Sequence, residues 1–88
     1  MNIEITDRAK EKLQLMKDNN VPIALTRYPV GCSSFKYKIV SIKPSNRDKV
    51  YNVDGFDITV TDDSEFKLKG AKIDYGGLIK DFIVTPKF

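Results

Sequence analysis

Apolar and polar residues alternate at the start of the chain, where Ile3 and Ile5 read as a short entry strand. The spacing then lengthens. Ala9, Leu13 and Met16 fall on one face at helical spacing, and Leu15 widens that face. Thr6 is a good N-cap and Asp7 suits the positive end of the helix dipole, so a helix is predicted over Asp7–Asn19. Asn19-Asn20 ends it, and Pro22 enforces the stop. The stripe containing Met16 reads as packing, not as a ligand set.

Alternation returns in "PIALTRYP" (22–29), where Ile23, Leu25 and Arg27 begin a strand. The loop "VGCSS" (30–34) follows. In "FKYKIVSIK" (35–43), Phe35, Tyr37 and Ile39 share a face expected to be core, with Lys36 and Lys38 on the other. "KPSNRD" (43–48) is turn material. "VYNV" and "FDITV" flank Asp54-Gly55, a hairpin signal because both positions tolerate positive φ. In "TDDSEFKLKG" (61–70) the period changes again. Asp62 as N-cap with Glu65 three residues on forms a capping box, and Gly70 is expected to end the short helix. "AKIDY" (71–75) and "LIKDFIVTP" (78–86) read as two more strands, joined by a hairpin turn at Gly76-Gly77. The predicted fold class is α+β, mostly antiparallel β: an N-terminal helix followed by about six or seven short strands, in a single domain spanning 1–88.

Composition narrows the setting. The chain is 41% hydrophobic and 31% charged, as soluble globular proteins are. No run approaches the ~20 apolar residues of a membrane span. The opening "MNIEITDRAKEKL" has no hydrophobic leader core. With one cysteine no internal disulfide forms, so a reducing, cytoplasmic setting without membrane attachment is expected.

The net charge of +3 hides a segregation. Residues 21–47 carry Arg27, Lys36, Lys38, Lys43 and Arg47 and no acid, whereas 48–65 carry Asp48, Asp54, Asp57, Asp62, Asp63 and Glu65 against Lys49 alone. The simpler expectation is strands that pair with opposite charges across the ladder. The sharper one is a basic patch for an anionic partner. Nucleic acid is not expected, because "FKYKIV" matches aromatic-basic binding strands only loosely and its aromatics look internal.

Chemistry is scarce. There is no histidine, which removes Ser-His-Asp, Cys-His and His-ligated metal schemes within one chain. No glycine-rich phosphate loop appears. Capping accounts for Asp62, Asp63 and Glu65, and no general base stands out, so an enzyme is not expected. Cys32 remains. It reads either as an inert small hydrophobe or as a reactive or metal-ligating thiol. Gly31 permits positive φ, and Ser33 and Ser34 are small and polar. A turn of this kind can expose successive backbone N–H groups, and with Arg27 and Lys36 near in sequence it would favour thiolate. Thiolate is the form that binds soft metals and iron–sulphur clusters.

At these residues the sequence resembles the HesB/IscA-like family, the A-type proteins of iron–sulphur cluster biogenesis, over nearly its whole length. "IEITDRAKEKLQLM" resembles the family's Ile-x-Ile-Thr-x-x-Ala entry to the first helix. "VGCSSFKY" resembles its Gly-Cys-Ser-Gly-x-x-Tyr loop, with Ser34 in place of the second glycine. "FDITVTDDSEFKLKGAKIDY" resembles its acidic-Ser, Leu-x-Gly and Ile-Asp-Tyr run, and "DFIVTPKF" its terminal strand. The resemblance implies that Cys32 is a cluster or iron ligand, that Gly31 and Ser33 shape its loop, and that Arg27 and Lys36 offset anionic charge. The family's other cysteines lie in a Cys-Gly-Cys tail, and the sequence reaches Phe88 without one, so a divergent member lacking that tail is expected.

A common cluster needs about four ligands. The implied arrangement is therefore a homodimer pairing two Cys32 thiolates. Glutathione, a partner's cysteines, or oxygen from Tyr37 or Asp74 would supply the rest. The expected function is an accessory role in cluster biogenesis, with transient iron or [2Fe-2S] binding and transfer among iron–sulphur assembly proteins. The alternative is a HesB-like fold that has lost metal binding and serves as a protein-interaction or small-ligand module. A thiol sensor oxidised at Cys32 is a third reading.

Overall fold

The computed structural model describes residues 2–31, 34–61, 68–78 and 80–88. In chain order its elements are β1 (Asn2–Ile5), α1 (Asp7–Asp18), β2 (Ile23–Val30), β3 (Ser34–Val40), β4 (Lys49–Val53), β5 (Phe56–Val60), β6 (Gly70–Gly76) and β7 (Asp81–Lys87). The strands form two sheets, ordered β1-β6-β7 and β3-β2-β5-β4. Among the described residues no helix is long and apolar enough to cross a membrane.

The antiparallel hairpins β2–β3, β4–β5 and β6–β7 follow the alternation in the sequence. Two parallel pairings, β1–β6 and β2–β5, join them to the rest. Between β4 and β5, Asp54 and Gly55 take φ of 53° and 87°, the left-handed pair that the Asp-Gly signal requires. The last hairpin differs from expectation. Its ladder closes at Gly76↔Asp81, so the strand begins at Asp81 rather than at Leu78, and Leu78 is fully exposed in the connection.

Thr6 caps α1 as predicted, accepting the Ala9 N–H at 3.3 Å. The helix ends with Asn20 at φ 57°, where the Val21 N–H reaches the Met16 carbonyl at 2.8 Å, a Schellman-type stop. Ala9 and Leu13 are completely buried, packed with Ile58, Ala71 and Ile73. Leu15, expected on this face, is 55% exposed, because around the helix it lies about 120° from Ala9 and about 160° from Leu13. Outside the core, Lys17 donates to the Gly55 carbonyl at 2.9 Å and Lys10 pairs with Asp54 at 3.5 Å, tying α1 to the β4–β5 turn.

Gly70 does not act as a helix stop. It opens β6 opposite Asn2 in the parallel ladder. A Cβ there would collide with the Asn2 carbonyl oxygen, so glycine is required for β1 to approach. The capping box at Asp62 and Glu65 lies outside the described residues.

Asp74 is part of the same closure. The Thr6 hydroxyl donates to its Oδ1 at 2.7 Å, the Tyr75 N–H donates to the same oxygen at 2.8 Å, and Arg8 lies 3.3 Å from Oδ2. The Thr6 hydroxyl thus accepts one hydrogen bond from the helix and donates another to β6. The Thr6 hydrogen bond, then that of Tyr75, holds the Asp74 carboxyl below its ordinary value of 3.8, against partial desolvation.

Two outcomes follow from these contacts. Gly70→Ala should destabilise the fold by ~1–3 kcal/mol. At about 4–8 °C per kcal/mol for a domain of this size, thermal melting followed by circular dichroism would register it. The Asp74 contribution should be fully present above pH ~4 and fade as pH falls through the depressed folded value, because the folded pKa lies below the unfolded one. Urea midpoints of the wild type and Asp74→Asn should therefore differ most at neutral pH and converge in acid. A gap that stays constant from pH 7 to pH 2 would contradict this.

Candidate functional site

The β2–β3 hairpin runs from Ala24↔Val40 to Val30↔Ser34. Val30 and Ser34, expected in the loop, pair with each other as the last rung of the ladder. Gly31 has φ 73°, and an added Cβ would meet nothing within 4 Å, so its glycine is required by backbone conformation and not by crowding. Cys32 and Ser33 lie outside the described residues.

Opposed residues of the hairpin share a face. Leu25 and Ile39, Arg27 and Tyr37, and Pro29 and Phe35 lie on one side, with Thr26 and Lys38, and Tyr28 and Lys36, on the other. Phe35, Tyr37 and Ile39 therefore share a face, as the alternation predicts. They are not equally internal. Leu25 is fully buried and Tyr37 is 7% exposed, but Phe35 is 46% exposed. The hairpin outruns the core, so its inner face emerges into solvent as it approaches Gly31.

Cations cover the aromatic rings there. The Arg27 guanidinium sits 4.4 Å from the Phe35 ring centroid, and the Lys38 ammonium sits 4.9 Å from that of Tyr28. Such stacking contributes ~0.5–1 kcal/mol at exposed positions. These pairings correct the expectation of opposite charges across the ladder. The basic strand β3 is terminal in its sheet, and its ladder partner is β2, which is itself basic through Arg27. Part of the acidic segment is satisfied elsewhere: Asp54 by Lys10, and Asp57 by the Asn52 amide at 2.9 Å. Composition alone missed this arrangement. The close alternation of cation and aromatic in "RY" and "FKYK" is the signal that carries it.

Two oxygen donors considered alongside Cys32 have other surroundings. The Asp74 carboxylate is engaged by Thr6, Tyr75 and Arg8 on the three-stranded sheet. Tyr37 belongs to the core cluster, and its ring leans on Phe88 with centroids 6.2 Å apart. Among the described residues no group of three or more His, Cys, Asp or Glu could hold a metal ion. With one cysteine and no histidine, one copy of these 88 residues does not supply the ligands of a cluster. A thiolate shared with outside ligands fits the residues present.

Beside the hairpin, β3 and β7 come together without a ladder between them. A groove of about 440 Å³ lies along this seam, lined by Tyr28, Phe35 and Tyr37 from one side and Phe82, Val84 and Pro86 from the other. Lys36 also lines it.

Comparison with solved structures returns the same architecture. SufA from Escherichia coli, involved in biosynthesis of iron–sulphur clusters, matches with a TM-score of 0.77 and 21% identity, over 96% of this chain and 79% of that one. IscA, crystallised with a [2Fe-2S] cluster, matches with a TM-score of 0.74 and 17% identity, over 96% of this chain and 84% of that one. A protein from Aquifex aeolicus, solved by solution NMR, matches with a TM-score of 0.66 and 24% identity, over 98% and 90%. At these identities the likeness concerns the fold. No curated protein sequence matches. The family model for iron–sulphur cluster biosynthesis matches residues 1–80, and the chain belongs to that family.

Proposed function

We propose that this protein binds iron or a [2Fe-2S] cluster transiently through Cys32 and passes it on during cluster biosynthesis. The observation that carries the reading is the family match over residues 1–80, with the chain's one cysteine placed in sequence directly after Gly31 of the β2–β3 hairpin. The cluster is cargo. Two copies of the chain would contribute two thiolates, and glutathione or the cysteines of an assembly protein would complete the set. A site with few protein thiolates releases its cargo readily, which suits transfer in a reducing cytoplasm. Gly31 and Ser33 shape the loop, and Arg27 and Lys36 offset anionic charge. The role is binding and handover, without catalysis by the chain's own side chains.

The single cysteine in 88 residues also favours a second reading, in which the fold has lost metal binding and works as an interaction module. Anaerobic reconstitution with iron and sulphide, with and without glutathione, separates the two. Under the first reading the wild type should gain visible cluster absorption and bound iron, with more in the presence of glutathione, and Cys32→Ser should fall at least ~10-fold, to background, as removal of the sole thiolate ligand implies. Equal iron in both proteins, or none in either, would leave the interaction module as the better description.

A further inference from the structure

We propose that the groove between β3 and β7 receives an acidic segment with an apolar anchor residue from the protein that exchanges cargo with Cys32. The proposal rests on the transfer reading above and adds a partner surface to it.

The seam has the chemistry of a docking site. Its volume of about 440 Å³ lies within the ~300–1,000 Å³ range of ligand pockets and suits a few side chains. Its walls are aromatic and aliphatic, and two apolar residues there are left exposed: Phe35 at 46% and Ile83 at 42%. Apolar surface held open beside polar strands marks an interaction site.

Charge selects the occupant. Lys36 lines the groove, and on the same face of the hairpin Lys38 is stacked on lining residue Tyr28. Among the described residues no carboxylate lines it. Asp81 lies next in sequence to Phe82, and its Oδ1 accepts the Phe82 N–H at 2.7 Å. Cations fixed on aromatic walls give an apolar slot with a positive rim, which an acidic peptide with one large apolar side chain complements. The hairpin that carries Phe35 and Lys36 also carries Gly31, the residue that precedes Cys32 in sequence.

The test is an NMR titration of the ¹⁵N-labelled protein with the synthetic peptide Ac-DEDFLDED-NH₂. Controls are the same peptide with Ser-Ser in place of Phe-Leu, and one with Lys in place of every acid. Shift changes should concentrate on amides of 35–37 and 82–85. Affinity should fall at least ~10-fold for both controls and for Lys36→Glu or Phe35→Ser, and remain within ~2-fold for Cys32→Ser. Both groove substitutions are at exposed positions, and circular dichroism would confirm that each variant folds. Absence of saturable shifts, shifts centred elsewhere, or equal binding of the Ser-Ser or Lys peptide would overturn the proposal. So would groove shifts that depend on protein concentration without peptide, which would assign the surface to a second copy of the chain. Because Cys32→Ser is expected to bind normally, failure of the groove is distinguishable from failure of the thiol reading.

Discussion

The two sheets of this protein share no ladder, so side-chain packing has to hold them together. The helix shares that work with the direct seam between β3 and β7. It lies against β5 of one sheet and β6 of the other, and its Ala9 and Leu13 are completely buried. Ile58 and Ile73, fully buried on those two strands, complete the contact. Burying a side chain of this size stabilises the fold by ~1.5–3 kcal/mol. A domain of 88 residues has few such residues to spare, which is why the polar closures around the helix matter as well. Thr6 with Asp74 secures one end, and Lys17 with Gly55 secures the other.

How this packing relates to the sequence differs between elements. Alternation and spacing disclose the hairpins and the helix because each is a local pattern: the Thr6 cap, the Asp54-Gly55 turn, the Ala9–Leu13 stripe. Parallel pairing leaves no such trace. Nothing local in residues 2–5 names 70–73 as their neighbours, and Gly70 was legible as a glycine near an element boundary but not as the place where β1 must fit. Leu15 failed for a related reason. Helical spacing shows which residues are neighbours on the cylinder, but the width of the surface facing the helix decides which of them are covered.

The candidate site divides in the same way. Cys32 and its glycine stand out in the sequence because one thiol placed in a polar turn is unusual. The surface beside it does not, because the groove forms only when β7 is brought next to β3 from more than forty positions away in the chain. Arg27 and Lys38 illustrate the limit of counting charges. As members of a basic segment they suggested an acidic strand opposite, whereas in the fold each is held on an aromatic ring. The hairpin therefore carries its cations on aromatic rings along the strands that lead to Gly31, the residue before Cys32 in sequence.

The register of β1 also constrains how the molecule is made. Asn2 pairs with Gly70, and Thr6 finds its acceptor at Asp74, so each waits for a partner 68 positions further along the chain. Until β6 is made, the apolar face of α1 has at most β5 to cover it. Contacts so distant in sequence slow folding, because a long loop must close before they form. Helix α1, though it precedes both strands in the chain, gains its full cover only once β6 has been made, and until then its apolar stripe stays partly exposed.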